Sequence, residues 1–174
     1  MATSILTVAV ASLAQLFVIS ARANTSAKAT TYASVLAQQK IEQLRGLTWG
    51  FDSVGLPLTD TTTDVSVRPE SAASGRGLSP SPAGSAGTGT LAVNTDGYCD
   101  FLDESGRWLA GGVTAPGGTV FIRRWSVEPL PANPNNTVVL QVLVTRNRAR
   151  AGGAGAAVVP DEARLVTVKT RKAS

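Results

Sequence analysis

Residues 2–46, ATSILTVAVASLAQLFVISARANTSAKATTYASVLAQQKIEQLRG, contain no proline and no glycine before Gly46, and from Ala2 to Ala21 they contain no charge. That composition predicts one long helix with two chemistries. Its first half carries Leu6, Val10, Leu13, Leu16, Phe17 and Ile19, and the uncharged run is about the ~20 residues a helix needs to cross a bilayer core. In its second half Ala33, Leu36, Ala37, Ile41 and Leu44 recur at three- and four-residue steps, the spacing of a single apolar stripe packed on something else. Gly46 supplies a left-handed stop. A helix from Ser4 to Arg45 would be roughly 60 Å long, too long for a signal peptide.

The rest of the chain predicts sheet. Thr119–Val127, Thr137–Thr145 and Ala163–Thr170 are rich in β-branched and aromatic residues, and Thr61–Val67 and Thr90–Val93 are shorter candidates. Val138, Leu140, Val142 and Val144 fall on one face of their strand, as in a sheet packed on an apolar layer, and the helix stripe is the available cover. The connections at 129–136 and 147–161 are turn-rich and lack helix signals, which favours an antiparallel meander. The expected class is therefore α+β: a long N-terminal helix packed on an antiparallel β-sheet. Three parts follow: an apolar helix half at 1–23, an amphipathic half at 24–46, and a β-rich head at 47–174. Within the head, 71–89 (SAASGRGLSPSPAGSAGTG) offers too little apolar surface to order itself and reads as a mobile loop. The segment 47–60 reads as loop, anchored by Trp49, Phe51 and Leu56.

Several chemistries are disfavoured. The chain has no histidine to serve as a base for a serine or cysteine nucleophile. Its net charge of +4 comes from dispersed basic residues, with no run suited to nucleic acid. Gly84, Gly87 and Gly89 have the wrong spacing for a phosphate loop, and no strand leads into them. Cys99 is the single cysteine, so no internal disulfide forms, and it reads as a half-buried thiol at a strand end. Arg123 and Arg124 read as a snorkelling or solvent-facing pair, one on the Trp125 face and one opposite. The acidic stretch 94–106 places Asp96, Asp100 and Asp103 within one loop-like segment, a weak oxygen-ligand set for calcium; solvated turns are the expectation there, with no cofactor.

Three stretches carry a family resemblance. The leader with Leu13-Ala14-Gln15 and the helix end Leu36-Ala37-Gln38-Gln39-Lys40-Ile41-Glu42-Gln43-Leu44-Arg45, the strand Ile122-Arg123-Arg124-Trp125-Ser126-Val127, and the closing Val166-Thr167-Val168-Lys169-Thr170 resemble the type IV pilin and type II secretion pseudopilin superfamily, in particular its minor pilins. The resemblance implies a pilin-like fold and a non-enzymatic filament subunit. It would wait in the inner membrane as a single-pass protein with a periplasmic head, and then assemble with other pilin or pseudopilin subunits. The chain departs from the family pattern in one place: the Gly-Phe junction with its early Glu is missing, and the first acidic residue is Glu42. Arg22 and Lys28, the charges nearest the apolar run, by themselves give the opposite orientation, so a basic leader upstream of Met1 is expected. The alternative reading takes Ala21-Arg22-Ala23 as a cleavage site that releases a secreted or periplasmic binding module.

Overall fold

The computed structural model describes residues 2–84, 89–147 and 162–171, with side chains from Val10 onward. The Leu6 side chain and the connection 148–161 therefore lie outside what is described. Helix α1 runs unbroken from Ala2 to Gly46, 45 residues and about 67 Å. Among the described residues no helix is long and apolar enough to cross a membrane; Ser12, Gln15 and Ser20 interrupt the apolar side chains of its first half. Among the described residues seven strands follow: β1 (Trp49–Phe51), β2 (Pro57–Thr59), β3 (Cys99–Leu102), β4 (Trp108–Gly111), β5 (Phe121–Pro129), β6 (Thr137–Arg146) and β7 (Glu162–Thr170). The first two form a small hairpin, and the other five form one sheet in the order β4-β3-β5-β6-β7, antiparallel throughout. The class is α+β, as the periodicities require.

The helix stripe is the cover for the sheet. Ala33 and Ala37 are fully buried, and with Leu36, Ile41 and Leu44 they join the core formed by Trp125 and Val127 of β5, Val138, Leu140, Val142 and Val144 of β6, and Ala163 of β7. The two alanines bring the helix backbone close to the strands, and the larger residues fill the space on either side. Gly46 is not the left-handed stop expected from the sequence: the helix continues through it without a positive φ, and Lys169 of β7 donates to the carbonyls of Arg45 and Leu47 at the helix end.

Several elements differ from the sequence expectation. The strand expected at 119–127 is displaced to 121–129, because Thr119 closes a turn onto Pro116. Thr61–Val67 is not a strand: the Asp60 carboxylate accepts from the Thr62 and Thr63 backbone N–H groups and the Thr63 hydroxyl, wrapping the chain into a turn. Thr90–Val93 is likewise a turn, with the Ala92 and Val93 N–H groups donating to the Gly89 carbonyl. The expected loop 47–60 contains the β1–β2 hairpin, closed by Asp52 Oδ1 accepting from Val54 and Leu56, and Leu56 is exposed rather than an anchor.

The expectation that 71–89 cannot order itself is corrected for its first part. Leu78 is buried, its N–H donates to Asp60 O at 2.7 Å, and Ser81 exchanges hydrogen bonds with Val127 of β5. One leucine and backbone pairing suffice where bulk apolar content is low; 85–88 lie outside the described residues.

Leu44 is fully buried whereas Val35, on the same helix, is 48% exposed. Leu44→Ala is expected to lower the unfolding free energy by about 2–5 kcal/mol, and Val35→Ala by less than about 0.5 kcal/mol, in denaturant titrations followed by tryptophan fluorescence.

Candidate functional site

Position 40 falls within the apolar stripe of α1, four residues after Leu36 and four before Leu44, so helix geometry forces a lysine into the core. Lys40 is 1% exposed. Its ammonium lies 2.9 Å from Asp100 Oδ2, donates to the Val65 carbonyl, and sits 4.3 Å from the centre of the Trp125 ring. Asp100 comes from β3, where it stands directly opposite Arg123 of β5. The Arg123 guanidinium grips the same carboxylate with two bonds, Nε to Oδ1 at 2.9 Å and Nη2 to Oδ2 at 2.8 Å, while Nη1 donates to the Leu36 carbonyl at 3.0 Å. Helix, β3, β5 and the 60–78 loop thus meet at one buried charge cluster.

Two cations share one carboxylate here, and the titration of Lys40 reflects it. Burial pulls the ammonium down from its ordinary 10.5 to about 8; Asp100 opposes that fall, and the Arg123 charge adds to it. Because an ion pair withdrawn from water roughly repays its own desolvation at best, the cluster is a device for positioning more than a source of stability.

The structure separates the three aspartates considered as calcium ligands. Asp96 is exposed. Asp100 is buried with both oxygens committed to Lys40 and Arg123. Asp103 closes the β3–β4 turn, its Oδ1 accepting from the Ser105 and Arg107 N–H groups at 2.9 Å each. Among the described residues no group of three His, Cys, Asp or Glu side chains gathers in a metal-holding arrangement. The reading of Arg123 and Arg124 as solvent-facing is overturned for Arg123, which is 4% exposed because its charge is met inside by Asp100. Arg124, on the opposite face, donates to Asn94 Oδ1 at 2.8 Å. Cys99 is fully buried, not half-buried, and burial pushes its thiol up to about 12, so no thiolate forms at neutral pH.

The other candidate surface is the first half of α1. Leu13, Leu16, Phe17 and Ile19 are 66%, 68%, 81% and 64% exposed, and Val10 is 58% exposed. The helix leaves the sheet near Ala29 and carries these side chains into open space. Further along the helix the Thr25 and Thr31 hydroxyls donate to the carbonyls four residues earlier, at 3.0 and 2.9 Å. They therefore need no outside partner.

Two measurements follow from the charge cluster. Asp100→Asn leaves two buried cations without their carboxylate and is expected to cost about 3–5 kcal/mol, whereas Asp103→Asn, which keeps the turn-closing oxygen, costs less than about 1 kcal/mol. For pH, the folded Lys40 loses its proton near 8 and the unfolded one near 10.5. Between those values the unfolded chain binds more protons, so this group's contribution to stability rises with pH and its full burial penalty applies below about 8. Compared with Lys40→Met, the parent protein should gain roughly 2 kcal/mol between about pH 7 and pH 9.5 in urea titrations. A flat difference would show that the lysine titrates normally.

No protein-family model matches this chain, and no curated protein or solved structure does either.

Proposed function

We propose that this protein is a non-enzymatic filament subunit, a pilin-like minor pilin or pseudopilin that assembles through the first half of α1. One observation carries the reading: a single continuous helix is buried against its own sheet from Ala33 to Leu44 and exposes large apolar side chains from Val10 to Ile19. Within a lone copy those residues have no apolar cover among the described residues, and burying them stabilises an assembly by about 25 cal/mol per Å². Neighbouring helices of other copies suit the mixture of leucines with Ala9, Ala11, Ser12, Ala14 and Ser20, because small residues admit close helix approach. A stay in the inner membrane before assembly, with the head on the periplasmic side, belongs to the same proposal. The α+β head and its antiparallel sheet fit the pilin-like layout, and the absence of histidine fits a structural role.

The test is self-association of the full chain purified in detergent. On detergent removal the parent protein should form elongated assemblies, seen by negative-stain microscopy and by sedimentation. Leu13→Glu with Phe17→Glu should stay dispersed while melting at the same temperature as the parent, since neither residue touches the head. Assembly unchanged in that double variant would sink the proposal. A mature chain from native cells beginning at Asn24 would favour the released binding module instead.

A further inference from the structure

Beside the charge cluster, and sharing Arg123 with it, is a cleft of about 370 Å³ lined by Gln39 of α1, Arg68, Leu102, Gly106, Arg107, Trp108 and Arg123. Three of these side chains are guanidinium groups and none is a carboxylate. We propose that this cleft is a binding site for a small oxyanion, a molecule bearing a carboxylate or phosphate group.

The cleft is built rather than incidental. Gly106 stands at φ +72° in the β3–β4 turn, where an added Cβ would lie 2.4 Å from the Tyr32 hydroxyl and 2.9 Å from Leu36 Cδ2, so only glycine lets this turn close onto the helix. The closure places Arg107 beside Gln39. Opposite, the Trp108 indole donates to the Ser66 carbonyl at 2.9 Å, which fixes the loop carrying Arg68 against β4. The floor is Arg123, buried and immobilised: three of its five N–H groups are bound to Asp100 and Leu36, and among the described residues the other two have no acceptor. A guanidinium already held by three bonds loses little side-chain entropy on binding an oxyanion.

The two rim arginines are available. Arg107 is 79% exposed, and its nearest carboxylate oxygen, on Asp103, is 3.5 Å away, too long for a strong bond. Arg68 is exposed, and the acid closest to it in sequence, Glu70, accepts from Gln43 instead. The volume is at the small end of ligand pockets, which suits one anionic head group and excludes a folded partner.

The experiment is isothermal titration of the full-length protein in detergent with inorganic phosphate and, separately, with citrate, at constant ionic strength in chloride. Saturable binding of either probe is expected, with the preferred probe identifying the phosphate or the carboxylate as the favoured group. Arg68→Gln and Arg107→Gln should each weaken that binding about tenfold, and the double variant should abolish it, whereas Arg45→Gln, outside the cleft, should leave it unchanged. No saturable binding of either probe would overturn the proposal, as would binding that survives in the double variant. Melting temperatures of the variants without ligand separate a binding loss from a folding loss: both arginines are exposed, so the values should match the parent. Arg123 is left intact because its removal would break the core.

Discussion

Lys40 holds the long helix in one place on its sheet, and nearly every other feature depends on that placement. Apolar stripes pack with little preference for register, because a leucine displaced by one turn meets another apolar neighbour. Lys40 is different. A shift of one turn, ~5.4 Å, would take its ammonium from Asp100 and the Val65 carbonyl and leave it among valines and leucines, at a cost of several kcal/mol. The cross-strand pairing of Asp100 with Arg123 ties the same point to β3 and β5, so helix position and sheet register are specified together. Net stability from such a cluster is small, yet the penalty for misplacing it is large.

That anchoring explains how the helix can be bound at one end and bare at the other. From Ala33 to Leu44 the sheet supports it; from Val10 to Ile19 nothing among the described residues does. Continuity there rests on a long uninterrupted run free of glycine and proline. The result is a projecting rod whose exposed residues are the kind usually found inside proteins. A helix fixed rigidly at its base presents those residues at a defined angle from the head, which is what an ordered assembly of identical copies requires.

Much of this was legible in the sequence, and the failures have physical causes. The three-and-four spacing of Ala33, Leu36, Ala37, Ile41 and Leu44 identified the buried face, and the alternation of Val138, Leu140, Val142 and Val144 identified the strand beneath it. Lys40 escaped because a lysine in a stripe is ordinarily read as its edge. The signal was present but split across the chain: Lys40 at helix parity with Leu36 and Leu44, Asp100 between Cys99 and Phe101, and Arg123 at the same strand parity as Trp125. No local window contains all three. The strands β3 and β4 were hidden for a related reason, since their acids, glycines and turns read as loop until Arg123 neutralises Asp100 from another strand. Conversely, the β-branched residues at 61–67 promised a strand that Asp60 diverts into a turn through its side-chain oxygens. The cleft was invisible in sequence because Arg68, Arg107 and Arg123 are brought together only by tertiary folding.

The buried cluster and the cleft share Arg123, which links their electrostatics. With Lys40 protonated, the core holds two cations against the single carboxylate of Asp100, an excess of one positive charge away from water. Among the described residues the other acid that bears on Lys40 is Glu70, outside the core and engaged by Gln43. An oxyanion on the cleft side of Arg123 would supply negative charge where the cluster lacks it, and so would favour the charged form of Lys40 by the same Coulombic logic that Arg123 now opposes. Because Lys40 is the helix's point of attachment, the charge state of the cleft and the security of the helix base bear on the same side chain. A ligand held there would act on the anchor without touching the projecting apolar half.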